Sequence, residues 1–216
     1  MPKINNIFLL CVSGIFLFIW GCNFEDPYTL NRLGREQPAS SSGKVSMTID
    51  RQKRPQSVYD FTLFDISTQP VSLERFQGKV LLMVNTASRC GYTAQLRDLQ
   101  TLYRQYQSQG LEVLAFPSND FGGQELETNE EIALFATTQF GVDFPLFAKT
   151  RVRGSDQHPL FTWLTTQGHA DKQVRYNFEK FLVDRTGKVI ARYSSDVVPL
   201  SEEILADIER ALAFSA

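Results

Sequence analysis

The stretch Val80-Leu81-Leu82-Met83-Val84-Asn85-Thr86-Ala87-Ser88-Arg89-Cys90-Gly91-Tyr92-Thr93 constrains this chain most. Its apolar half has the length and composition of a buried β-strand, and its second half breaks into small and polar residues that deliver one cysteine at a glycine-containing turn. A helical pattern follows, with Leu96, Leu99, Leu102, Tyr103 and Tyr106 three or four apart. Cys90 therefore sits where a buried strand gives way to a helix. Free backbone N–H groups and the positive end of the helix dipole meet at such a junction, and both favour a thiolate over a thiol. The bland reading of a free cysteine is a small buried residue. The junction and Gly91 favour the reactive one.

The remaining segments are read relative to that junction. Thr93 to Gln109 is expected to be a helix ended by Gly110, and Leu111 to Pro117 a second buried strand, so strand, helix and strand make a parallel pair. A polar loop, Ser118 to Glu125, leaves that strand at the same sheet edge as Cys90, where open α/β sheets place their sites. Thr128-Asn129-Glu130-Glu131 starts a further helix, and His158-Pro159 another, with His158 as an ordinary helix-start residue. Phe144 to Phe147 is expected to return to the sheet. Asn177–Asp184 and Lys188–Tyr193 read as an antiparallel hairpin around Arg185-Thr186-Gly187, and Leu200 to Ala213 as a closing helix. Tyr59–Phe64 reads as an edge strand and Trp163 as a core residue. The expected fold is α/β with a central mixed sheet flanked by helices.

At 216 residues, 43% hydrophobic and 21% charged, the composition is that of an ordinary globular chain, and a net charge of −2 gives no electrostatic reason to expect nucleic acid. Two histidines are too few and too scattered for a metal site without cysteine help, so no metal or cofactor is expected. Met1 to Gly21 resembles a leader, with one lysine ahead of fifteen mostly apolar residues. The run ends Ile19-Trp20-Gly21-Cys22, similar to a bacterial lipobox that would lipidate Cys22; an uncleaved anchor and an ordinary signal peptide are the other readings. The expected organisation is a signal peptide at 1–21, a flexible tether at 22–55 holding a weak strand signal at 45–49, and a folded domain at 56–216. The expected location is the bacterial cell envelope, with the domain outside the cytoplasmic membrane. Cut at Cys22, the domain keeps Cys90 alone of the three cysteines, and no intradomain disulfide can form.

From about Val58 onward the chain resembles a glutathione peroxidase of the thioredoxin-fold superfamily. The resemblance rests on Val84 to Thr93, on Ala115-Phe116-Pro117-Ser118-Asn119 with Phe121 to Glu125, on Asn129 to Ile132, on His158-Pro159-Leu160, and on Asn177-Phe178 with Lys180 to Asp184. It implies that Cys90 attacks a hydroperoxide, hydrogen peroxide or an organic or lipid one, to give a sulfenic acid. It further implies that Gln124 and Asn177 supply hydrogen bonds beside the sulfur. Where the family carries a tryptophan just before that Asn, this chain has Tyr176, a phenol that donates from a different distance. The resolving cysteine of many relatives corresponds to Ala136, and another common cysteine to Ser118, so the resemblance implies resolution by an external thiol, glutathione or a protein dithiol. Cys22 acting through the tether is the alternative. The short stretch from Thr165 to Val174 resembles compact members without a long oligomerisation loop, which implies a monomer. The rival class is a non-catalytic or weakly active binding or redox-chaperone protein on the same fold. A thiol–disulfide oxidoreductase would need Cys-x-x-Cys, and position 93 is Thr.

Overall fold

After a 3₁₀ turn at Val58–Asp60, two short strands, β1 (Thr62–Phe64) and β2 (Pro70–Ser72), pair antiparallel. The computed structural model describes residues 54–167 and 173–214. The leader, Cys22, nearly all of the tether and its strand signal lie outside them, as does His169. The main sheet is built on β3 (Val80–Thr86), which leads through the Cys90 turn into α1 (Gln95–Tyr106) and then β4 (Leu111–Pro117). β3 and β4 are parallel, in register from Val80 opposite Leu111 to Thr86 opposite Pro117, and all their residues are buried. Both faces of this pair are covered, which is why the two strands read as continuous apolar runs. Gly110 stops the helical segment at φ 105°, a left-handed conformation that glycine adopts without steric cost.

α2 (Asn129–Phe140) opens on a reciprocal capping box: the Thr128 hydroxyl accepts from the Glu131 N–H at 3.1 Å, and the Glu131 carboxylate from the Thr128 N–H at 3.1 Å. α3 (Pro159–Thr166) is capped by His158, whose Nδ1 accepts from the Leu160 N–H at 3.2 Å. β5 (Lys180–Val183) and β6 (Val189–Tyr193) form the hairpin, and α4 (Glu202–Ala213) follows. The sheet order is β4-β3-β5-β6, with β5 antiparallel to both β3 and β6. The mixed α/β architecture is as expected. One face of the sheet carries Leu82 and Val84 against Leu96, Leu99 and Leu102 of α1 and Ile204 and Ile208 of α4. The other carries Leu81 and Met83 against Leu160, Phe161 and Leu164 of α3.

Three expectations are corrected in detail, and a fourth is met. The edge strand expected over Tyr59–Phe64 is 3₁₀ at its start, where Ser57 caps the turn. Phe144 to Phe147 returns to the sheet as expected, through isolated bridges of Leu146 with Ala115 and of Phe147 with Asp65. The hairpin's first strand begins at Lys180 and not at Asn177, because Phe178 turns the backbone at φ 65°. Trp163 is partly buried against Phe61, and its indole N–H donates to the Pro55 carbonyl at 3.1 Å, so it lies at the rim of the core.

Candidate active site

Cys90 lies in the turn between β3 and α1, buried with 9% of its surface exposed. The turn is held by Thr93. Its hydroxyl accepts from the Cys90 N–H at 2.9 Å and lies 2.7 Å from the Cys90 carbonyl and 2.9 Å from that of Ala87. Thr93 occupies the place a second cysteine would take in a Cys-x-x-Cys pair, and it serves as a buried hydrogen-bonding brace instead. From Cys90 onward, N–H groups bond three residues back: Thr93 to Cys90, Gln95 to Tyr92, Leu96 to Thr93, Arg97 to Ala94. These tight turns prolong α1 toward the sulfur, so the N-terminal end of the helix and its partial positive charge face the cysteine turn. The Tyr92 N–H lies 3.5 Å from Sγ and donates to it.

The Gln124 loop joins this turn on two sides. The Arg89 N–H donates to the Gln124 carbonyl at 2.9 Å. The Ser88 N–H donates to Glu125 Oε1 at 3.0 Å, and Glu125 also accepts from the Leu126 N–H at 2.8 Å. The Asn119 side-chain oxygen accepts from the Glu125 N–H at 2.9 Å, which gives Asn119 a loop-shaping role. Glu125 is 4% exposed, and its burial raises the carboxyl above the ordinary range while the Ser88 and Leu126 donors pull it back.

The third segment is 174–179. Asn177 Nδ2 donates to Gln124 Oε1 at 2.9 Å, and the Tyr176 hydroxyl donates to the same oxygen at 3.3 Å. With that carbonyl oxygen occupied, Gln124 Nε2 is the donor open to a bound molecule, and among the described residues it has no acceptor. Tyr176 packs edge-on against Tyr92 (6.2 Å between centroids) and Phe121 (5.6 Å), so an aromatic wall lies beside the cysteine turn. All four residues expected at a site, Cys90, Gln124, Tyr176 and Asn177, thus belong to segments locked together at the carboxyl edge of β3 and β4. Ala136 and Ser118, the positions to which the resemblance assigns the cysteines of other members, are buried, 3% and 1% exposed. Among the described residues Cys90 is the one free cysteine, and Cys22 lies outside them.

The motifs left some supporting residues unmarked. Asn85, fully buried at the end of β3, donates from Nδ2 to the Tyr176 carbonyl at 3.0 Å and accepts the Phe178 N–H on its own carbonyl at 2.6 Å. Glu179 and Arg192 lie beneath the same loop. A polar residue ending an otherwise apolar strand was the available signal for Asn85. Glu179 and Arg192 gave none, since charges in a hairpin read as solvated.

A family model described as glutathione peroxidase matches residues 58–165. The hydroperoxy fatty acid reductase gpx1 of Synechocystis sp. is 47% identical over 165 residues, covering 72% of this chain and 96% of that protein. The glutathione peroxidase homolog BsaA of Bacillus subtilis is 43% identical over 159 residues, covering 71% of this chain and 99% of its own. The crystal structure of Trgpx in apo form superposes with a TM-score of 0.62 at 36% identity, over 75% of this chain and 99% of that one. Solved thioredoxin-family structures under 25% identical share the fold, which establishes it as thioredoxin-like. The expected envelope location, with a lipid-anchored domain, is corrected by these matches. The bacterial relative BsaA is matched over 99% of its length by 71% of this chain, and no described helix is long and apolar enough to cross a membrane.

Proposed function

This chain belongs to the glutathione peroxidase family and is a thiol-based peroxidase, and we propose that Cys90 is its nucleophile, with Gln124, Asn177 and Tyr176 as the donors around the reacting oxygens. The observation that carries this reading is the Gln124 side chain: its carbonyl oxygen is held by Asn177 and Tyr176 while its backbone is tied to the cysteine turn. A preorganised amide is thereby offered where charge develops.

The Cys90 thiolate attacks one peroxide oxygen. The S–O bond forms as the O–O bond breaks, and the second oxygen leaves as water or an alcohol once it takes a proton. Cys90 becomes a sulfenic acid. A first thiol then attacks the sulfur, releasing water and forming a mixed disulfide, and a second thiol displaces Cys90 as thiolate. Ala136 and Ser118 offer no resolving sulfur, so both thiols come from outside the domain, as glutathione or as a protein dithiol. In this reading the peroxidase domain is residues 56–216 and acts as a monomer. The name of the Synechocystis relative supports hydroperoxides of fatty acids as substrates alongside hydrogen peroxide.

Steady-state peroxide consumption tests the cycle. Turnover is expected to require an added thiol and to vanish in Cys90→Ser. Turnover that survives Cys90→Ser overturns the assignment, and sustained turnover without any added thiol overturns external resolution.

A further inference from the structure

Resting on the site reading above, the geometry points to Glu179 and Arg192 as positioning residues that hold the Tyr176–Asn177 donors on Gln124. The two donors sit on a loop that enters β5 through Phe178, a non-glycine residue at φ 65°. L-residues with bulky side chains avoid that region, and they stay there only where surrounding contacts over-determine the backbone. Those contacts can be named. Glu179 Oε1 accepts the Arg175 N–H at 2.6 Å, one residue ahead of Tyr176. Glu179 Oε2 accepts from Arg192 Nε at 2.9 Å and from Arg192 Nη2 at 2.6 Å, and the same Nη2 donates to the Gln173 carbonyl at 2.7 Å. The carboxylate and guanidinium side chains are 3% and 9% exposed. Asn85 completes the brace from the cysteine strand by engaging Tyr176 and Phe178.

Burying an ion pair is seldom the most stabilising way to fill such a space, because desolvation offsets most of the attraction. What this pair supplies is direction. Two guanidinium N–H groups converging on one carboxylate oxygen fix the angle between the two side chains, and here both members reach out to backbone atoms of the loop that carries the donors. Glu179 and Arg192 therefore set the angle at which Asn177 and Tyr176 meet Gln124, and through Gln124 the fit to the peroxide oxygens.

The test is a double-mutant cycle on the full chain, using hydrogen peroxide. Cys90 oxidation is trapped at millisecond intervals with a sulfenic-acid reagent, and the Cys90 peptide is quantified by mass spectrometry. Glu179→Gln keeps the shape and an acceptor for the Arg175 N–H but removes the charge. It is expected to slow oxidation roughly tenfold to a hundredfold, the scale of an ångström-sized misplacement. In a Tyr176→Phe/Asn177→Ala background the same change is expected to slow it by less than about twofold, because the groups it positions are gone. A merely structural defect would instead act equally in both backgrounds, and that result overturns the inference, as does an unchanged rate in Glu179→Gln. If Tyr176→Phe/Asn177→Ala itself has no effect, the site reading falls and this inference with it. Should Glu179→Gln fail to fold, Glu179→Gln/Arg192→Gln, which leaves no buried charge unpaired, replaces it in the cycle with the same two outcomes.

Discussion

Asn177 and Tyr176 reach the same Gln124 oxygen at different distances, 2.9 and 3.3 Å. The shorter bond holds the amide more firmly, so Asn177→Ala is expected to slow Cys90 oxidation by about 10², the scale of losing one oriented donor, and Tyr176→Phe by roughly tenfold. Stopped-flow rates of both variants check the order; a larger loss in Tyr176→Phe would contradict it. Lys180 gives a pH prediction. It is fully buried, its Nζ donates to the Ser194, Ser195 and Val197 carbonyls at 3.4, 3.4 and 2.6 Å, and burial lowers it to about 8. In the unfolded chain a lysine titrates near ~10.4. Between these values the unfolded state binds the proton that the folded state has released, so stability rises with pH across the window, by at most ~1.4 kcal/mol per pH unit. Urea denaturation from pH 8 to 10 should show this slope in the native chain and lose it in Lys180→Met. The same slope in both would remove Lys180 as its source. The cysteine was legible from its place between a buried strand and a helix, and Gln124 only through the family resemblance, because a polar side chain in a loop otherwise reads as a solvated amide. The buried roles of Lys180, Glu179 and Arg192 were not, since charges in or beside a hairpin strand read as solvated until the loop folded over them is seen.

At the scale of elements, β3 and β4 were legible to the residue or nearly so, because strands buried on both faces carry no polar alternation to misread. β1 and β2, three residues each, had too little pattern to separate from turns. The start of β5 was missed because it depends on the backbone angle at Phe178, which local composition does not encode. The β5–β6 hairpin has a second angular requirement at Gly187, with φ 84°, where an added Cβ would fall 2.7 Å from the Tyr59 ring and 2.9 Å from Ser57 Cβ. The Gly187 carbonyl also accepts the Val58 N–H at 3.0 Å, so the turn is the seat for the first 3₁₀ segment. Gly187→Ala therefore meets both left-handed strain and a clash with the Tyr59 and Ser57 side chains. It is expected to destabilise the fold by about 1–3 kcal/mol while leaving the Cys90 oxidation rate within about twofold. Chemical denaturation and stopped flow on the same sample separate the two effects. An unchanged midpoint would contradict the packing account.

Among the described residues Cys90 is the one free cysteine, at the sheet's carboxyl edge, and in the proposed reading Gln124, Asn177 and Tyr176 surround its reacting oxygens while Ala136 and Ser118 supply no second sulfur. On that proposal each oxidation leaves Cys90 waiting for a thiol from outside the domain. A chain treated with excess peroxide and no thiol is expected to climb from sulfenic to sulfinic acid at Cys90, and prompt addition of glutathione or of a reduced protein dithiol should interrupt that climb. Whichever thiol interrupts it at the lower concentration is the better reductant. The most direct test of the central claim is the single-turnover oxidation of Cys90 by one equivalent of hydrogen peroxide, followed by stopped flow beside Cys90→Ser. The site predicts rapid loss of one equivalent of peroxide and one sulfenic acid on the Cys90 peptide, both absent in Cys90→Ser. Oxidation of Cys90 no faster than that of a free thiol in solution would contradict it, and would leave a peroxidase fold without a peroxidase site.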